Sequence, residues 1–231
     1  MKIEKSSQLQ IENAFRGAPA NVLVAISHLH KRVAVAGIAI LGATLLTACT
    51  AVVSPHVSEA EFLTNTQKRP VQIDVYVTDE FRNHRETQQN VMDMKSWDYE
   101  LGPVATDAFK YALASRFERV NLRLGAPHFP LAEDSAARVY VVQPSFAGFD
   151  AHYPYVFKFE TYTAKVTFLV ALYDSSGKRL LENTFDGEGS MQGSIGYESA
   201  GHAANPVAAQ EAVKAAVNKA VDAIVTAIPR E

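Results

Sequence analysis

The 231-residue chain predicts an α+β fold: a two-layer sandwich in which two helices pack on one face of a mainly antiparallel sheet of about four to five strands. Three observations carry this. Strand-like period-two runs recur at Val71–Asp79 and Tyr155–Asp174. A Ser- and Gly-bearing turn, "DSSGK" (Asp174–Lys178), separates the second run from another strand candidate. Two segments, Leu101–Val120 and Asn205–Pro229, place apolar residues at helical spacing instead.

Taken in order, "VQIDVYVTD" puts Val71, Ile73, Val75 and Val77 on one face and Gln72, Asp74, Tyr76 and Thr78 on the other. Such alternation in β-branched residues is the mark of a half-buried strand. The next stretch, Glu80–Asp98, is polar and mostly aperiodic and reads as a long exposed loop. Leu101, Val104, Ala105, Ala108, Phe109, Ala112, Leu113 and Phe117 then form a helical stripe, with Pro103 suited to the first turn. "RVNLRLG" (Arg119–Gly125) and "ARVYVVQPSF" (Ala137–Phe146) are further strand candidates.

Within Tyr155–Asp174 the alternation changes phase. Tyr155, Phe157 and Phe159 are apolar at odd positions; from Tyr162 the set becomes Ala164, Val166, Phe168, Val170 and Leu172. A one-residue slip moves every side chain to the other face, so a bulge or bend is expected near Glu160–Tyr162. "RLLENTFDGEG" (Arg179–Gly189) returns as the partner strand. In the last helix Asn205 is the expected N-cap, Pro206 fits the first turn, and Val213, Val217, Ala220, Ile224 and Ile228 make the apolar stripe.

The N-terminal part has a different character. A basic patch (His28, His30, Lys31, Arg32) precedes Val33–Leu46, which carries no charge and is shorter than the roughly 20 residues a membrane span needs. A basic patch followed by an apolar run of this length is the layout of a secretory signal. The run ends in Leu46-Thr47-Ala48-Cys49, and Cys49 is the only cysteine of the chain. This string resembles the lipobox of bacterial lipoproteins. The resemblance implies diacylglycerol on the Cys49 thiol, with Leu46, Thr47 and Ala48 recognised by the signal peptidase that cuts before Cys49. The 27 residues before His28 exceed what such a signal needs. Either translation starts nearer Val22 or Val24, or the chain carries a cytoplasmic extension.

The expected organisation is a signal segment at 1–48, a lipid-anchored flexible tether at 49–70 and a single α+β periplasmic domain at 71–231. Extended, a tether of 20 residues would reach about 65 Å. Cleavage before Cys49 leaves 17 basic and 23 acidic residues, a net charge of −6. That balance argues against nucleic acid or anionic headgroups as the principal partner. With Cys49 acylated no thiol remains for a disulfide, so the domain must be held by its core.

A wider resemblance joins the lipobox to the element order, the "YTAKVTFLV" strand (Tyr162–Val170), the "DSSGK" hairpin and the Ala-rich terminal helix. Together these resemble YajG-type lipoproteins and the group that includes the lipopolysaccharide-assembly and curli-secretion lipoproteins, over Val71–Ile228. The resemblance implies a periplasm-facing accessory domain and carries over no catalytic residue. Because Thr50 rather than Asp follows Cys49, it implies passage to the outer membrane; the outer leaflet of the inner membrane is the alternative.

Catalytic chemistry finds little footing. The seven His residues are scattered and none sits in an H-E-x-x-H spacing. His84 with Glu86, and Asp150 with His152, could share a strand face as weak chelators, or be solvated loop residues. "GEGSMQG" (Gly187–Gly193) misses the dinucleotide fingerprint by one residue and reads as a flexible loop. No catalytic residue, metal or cofactor is therefore expected. Seven aromatics fall between Phe146 and Tyr162, interrupted by Gly148 and Pro154. They read first as core filling under a bent hairpin; the rival reading makes Phe149, Tyr153 and Tyr155, placed in a loop, contact residues for a partner.

Three functions compete: an envelope accessory or assembly lipoprotein acting by binding a protein partner, a periplasmic carrier of a small apolar or glycan ligand, and a hydrolase with a dispersed site. The first is favoured by an anchor and a compact fold without a catalytic constellation.

Overall fold

Thr50–Val53 (β1) is already a strand, directly after Cys49. In this computed structural model the described residues are 50–90, 95–131, 138–152, 161–192 and 199–229. All belong to a unit spanning Cys49–Glu231, which is separate from Met1–Ala48. After β1 come a 3-10 turn, Glu59–Phe62, then β2 (Arg69–Val77), the one-turn helix α1 (Asp79–Arg82), β3 (Arg85–Asn90), β4 (Lys95–Glu100) and α2 (Leu101–Ala114). They are followed by β5 (Phe117–Leu124), β6 (Val139–His152), β7 (Thr161–Asp174), β8 (Arg179–Gln192) and α3 (Ser199–Ala227).

The α+β class is as the sequence predicts, with two refinements. The larger sheet, in order β5-β2-β6-β7-β8, is mixed: β2 runs parallel to β5 and β6, while β6, β7 and β8 are antiparallel. The parallel pairs arise because the chain leaves β2, passes through α2 and returns as β5, a crossover that a hairpin cannot supply. A second, three-stranded sheet in order β1-β4-β3 accompanies it, with β1 parallel and β3 antiparallel to β4.

The core lies between the larger sheet and the helices. Ile73, Val75 and Val77 on β2 are fully buried, as are Val166, Phe168, Val170 and Leu172 on β7, together with Phe109 and Leu113 on α2 and Val213, Val217 and Ile224 on α3. The helix–sheet approach is closest along β8. A Cβ on Gly187 would stand 2.0 Å from the Ala212 carbonyl oxygen, and one on Gly189 would stand 2.1 Å from that of Ala208. Glycine on the strand facing alanine on the helix lets two backbones meet. The glycine-rich stretch read as a flexible loop is thus, through Gln192, the strand against which α3 docks.

Four further expectations are corrected. The stretch 50–70 is no flexible tether: β1 pairs with β4, and Val53, Val57 and Phe62 are buried in the core. Glu80–Asp98 is not one loop, since it contributes most of α1, all of β3 and most of β4, with Trp97 buried. Phe117 opens β5 rather than closing α2, although it is fully buried as expected. Asn205 is not an N-cap, because α3 starts at Ser199 and carries Asn205 and Pro206 inside it.

The "DSSGK" hairpin forms as its composition predicts. Asp174 Oδ1 accepts from the backbone N–H groups of Ser176 and Lys178, both at 3.0 Å, and Gly177 takes the positive φ of 90° that the turn requires. The bend expected near Glu160–Tyr162 falls partly outside the described residues. Within them, the β6–β7 register shifts between Phe146 and Gly148.

Candidate functional site

Leu46, Thr47, Ala48 and Cys49 lie outside the described residues, as do Tyr153 and Tyr155. Phe149 does not lie in a loop. It sits on β6 opposite Val166, half-buried, with its ring centroid 4.8 Å from that of buried Tyr99 on β4. Gly148 does not break the strand, because the register shift beside it is absorbed as a bulge. Phe146, three residues earlier, is 4.9 Å from Phe81 and 4.9 Å from Phe168. The first half of the aromatic run therefore joins the two sheets.

His84 occupies the seam between them. Its ring stacks on Phe146 at 3.9 Å with the planes 11° apart, and Nε2 is 3.1 Å from Glu86 Oε1. Its backbone carbonyl accepts from the N–H groups of Leu101 and Gly102 at 3.1 and 3.0 Å, occupying two donors at the start of α2. Gly102 is required there, since a Cβ would stand 2.2 Å from the Arg82 carbonyl oxygen. The His84–Glu86 pair foreseen on a shared strand face exists, but as a bracket between α1, β3, α2 and β6. Asp150 and His152 are exposed, paired in register with Lys165 and Thr163. Among the described residues no group of three or more His, Cys, Asp or Glu could hold a metal ion, and no helix is long and apolar enough to cross a membrane.

Two polar clusters were not foreseen. Asp74 on β2, 5 % exposed, accepts from Asn121 Nδ2 at 2.9 Å and Gln72 Nε2 at 3.1 Å, with Arg123 Nε at 3.4 Å. These residues share the sheet face opposite the helices, where the β5–β6 connection also brings the Phe129 ring to 5.4 Å from Tyr173. The alternation of β2 does show Asp74 facing away from the helices; its partners become neighbours only once β5 pairs in parallel. A buried carboxylate so satisfied pins the register of β2 against β5.

The second cluster ties the segment after β1 to α3. Glu61 Oε1 accepts from Ser58 N at 2.9 Å and Ser58 Oγ at 3.0 Å, while Oε2 faces Gln210 Nε2 and Lys214 Nζ, each at 2.9 Å. Burial pushes the Glu61 carboxyl up, but the hydrogen bonds from Lys214, Ser58 and Gln210 outweigh it and hold the group at about 2. Burial likewise pushes the Lys214 ammonium down, and Glu61 and Glu211 overcome it, raising Lys214 above its ordinary value. Both clusters tie elements together: Asp74 joins β2 to β5, and Glu61 joins the segment after β1 to α3.

No protein-family model matches the chain, and no curated protein matches it. Solved structures similar to it include a Xanthomonas campestris protein of the DUF330 family, at 11 % identity and TM-score 0.42, covering 78 % of this chain and 96 % of that one. A candidate lipoprotein of Caulobacter crescentus matches at 14 % identity and TM-score 0.35, over 54 % of this chain and 80 % of that one. A hypothetical protein of Chlamydia trachomatis matches at 10 % identity and TM-score 0.38, over 68 % and 95 % respectively. No residue role is taken from these likenesses.

Proposed function

We propose that the chain is a lipid-anchored, periplasm-facing accessory lipoprotein of the bacterial envelope that acts by binding an envelope partner. One observation carries the reading. Cys49 closes the Leu46-Thr47-Ala48-Cys49 string and is also the first residue of the unit Cys49–Glu231. A cut before Cys49 therefore releases that unit whole, with the acylated residue at its N-terminus. Two or more acyl chains give stable membrane residence where one gives only marginal binding. The lipobox and the YajG-type resemblance support a periplasmic setting, and Thr50 in place of Asp supports the outer membrane. The reading assigns no catalytic residue.

The test is fatty-acid labelling of the wild type and of Cys49→Ser, followed by partner capture from detergent-solubilised envelopes. The wild type should incorporate palmitate and run as a processed form, and Cys49→Ser should remain an unlabelled precursor. Normal labelling and processing of Cys49→Ser would sink the anchor assignment. Capture of the same envelope proteins by an unfolded core variant such as Phe168→Asp as by the wild type would sink the binding role.

A further inference from the structure

The segment after Cys49 leaves no slack. Thr50 pairs with Ser96, Ala51 with Trp97, Val52 with Asp98 and Val53 with Tyr99. Thr50 Oγ1 lies 2.8 Å from Ser96 Oγ. Val53, Val57 and Phe62 are 2 %, 1 % and 4 % exposed, and Glu61 is held by α3 through Lys214 and Gln210. Paying out this segment would strip a strand from the smaller sheet and remove three apolar side chains from the core. The position of Cys49 is thus bounded by its peptide bond to Thr50.

That bound is tight. Cys49 Cα can stand at most about 7 Å from Ala51 Cα. Trp97 is the register partner of Ala51, and paired strands lie about 5 Å apart. Cys49 and Trp97 are therefore at most about 12 Å apart at their Cα atoms. A free tether over the same residues would allow about 65 Å. The polar headgroup layer of one leaflet is roughly 5 to 8 Å thick, so a residue fixed to its inner boundary brings the start of β1 into it. Beside that point β1 is an edge strand of its sheet, and Val52 is 57 % exposed.

We propose that the end of the smaller sheet at Thr50 and Ser96, with exposed Val52 beside it, is a bilayer-contact surface that holds the domain against the headgroups. The inference rests on acylation of Cys49. Its occupant is the lipid bilayer itself, because the covalent anchor enters the fold at this end and nowhere else. The domain then presents a fixed orientation, with β1 and β4 running away from the membrane and the bracket at His84 at their far end.

Trp97 is the only tryptophan of the chain, so it reports on this contact without labelling. The full-length processed protein is reconstituted into phosphatidylethanolamine–phosphatidylglycerol vesicles carrying a headgroup nitroxide lipid, and Trp97 fluorescence is compared with that in unlabelled vesicles. Acylation is verified by mass spectrometry on the same sample. A second protein carries twelve Gly/Ser residues inserted between Cys49 and Thr50. The expected result is clear quenching of Trp97 in the parent and its loss, by at least half, in the insertion variant. An acylated parent whose Trp97 is unquenched, or quenched equally with and without the insertion, overturns the contact surface and leaves the anchor standing. A sample without acyl chains overturns the anchor, and the contact surface with it.

Discussion

Lys214 Nζ, on α3, lies 2.9 Å from Glu61 Oε2 in the 3-10 turn that follows β1. The two residues are far apart in sequence, and the pair fastens the N-terminal segment to the C-terminal helix. Gln210, one turn earlier on α3, donates to the same oxygen. The contact converts residues that composition alone would leave loose into part of the fold.

Acid should test this fastening directly. The Glu61 carboxyl sits at about 2 in the folded protein against an ordinary 4.5. A carboxyl lowered on folding stabilises the native state fully above its unfolded pKa, and that stabilisation is lost as pH falls from about 4.5 towards 2. Partial exposure limits it to about 1 kcal/mol, or roughly 2 to 4 °C in melting temperature. Glu61→Gln should therefore melt lower than the wild type at pH 7, and the gap should shrink as pH falls below about 4.5, to a minor fraction by pH 2.5. A gap that persists unchanged at pH 2.5 would show that the charge contributes nothing.

Gly187 and Gly189, both buried on β8, predict an intolerance to any side chain. A methyl at either position meets backbone of α3, which no rotamer change can relieve. Gly187→Ala should lose at least about 1 to 3 kcal/mol by overpacking. Gly125 also takes a positive φ, 91°, but has open space around it, so Gly125→Ala meets only backbone strain. Thermal melts of Gly187→Ala, Gly189→Ala and Gly125→Ala should place Gly125→Ala nearest the wild type; a Gly187→Ala melt as high as that of Gly125→Ala would refute the close approach.

The larger sheet was legible because β2, β7 and the two long helices obey a single period, and because "DSSGK" carries its turn chemistry in its own residues. The smaller sheet was not. β3, "RETQQN", has no apolar residue with which to show a period, and β4, "KSWDYE", shows only Trp97 and Tyr99. β3 has β4 as its partner, and β4 depends on β3 and β1. The glycines of β8 were misread for a related reason: glycine signals a turn when its neighbours are local, and a close approach when the neighbour is a distant helix. Asp74 and Glu61 were visible as acidic residues, but their partners are set by parallel pairing and helix docking, which no local pattern encodes.

Phe149 and Phe168 now carry a graded expectation. Phe168 is fully buried, with Phe109, Phe146 and Phe81 around it, and Phe168→Ala should cost about 3 to 5 kcal/mol. Phe149 is half-buried on Tyr99, so Phe149→Ala should cost less than Phe168→Ala but more than the roughly 0.5 kcal/mol of a surface change. Denaturant titration of both variants reads this order. A Phe149→Ala variant as stable as the wild type would restore this side chain to the exposed contact role that its sequence context allows.

Arg69 closes the other end of the fold. It begins β2, and its guanidinium donates to the carbonyl oxygens of Val225 at 2.6 Å, Ile228 at 3.1 Å and Pro229 at 2.7 Å. The last carbonyls of a helix have no partners within it and carry the negative end of its dipole, so a cation with several donors satisfies them and complements their charge. α3 has no basic residue in its own last turn, which leaves this work to Arg69. Arg69→Met removes donors and charge together and should cost about 1.5 to 3 kcal/mol, the range for a hydrogen bond to a charged group. Arg69→Lys keeps the charge but not the planar fork that reaches three acceptors at once, so it should fall between Met and the wild type. Hydrogen exchange localises the effect: amides in the last turn of α3 should lose protection in the order wild type, Lys, Met, while those around Val213 and Val217 change far less. Equal protection of that turn in all three proteins would mean that the helix end is held by its packing alone.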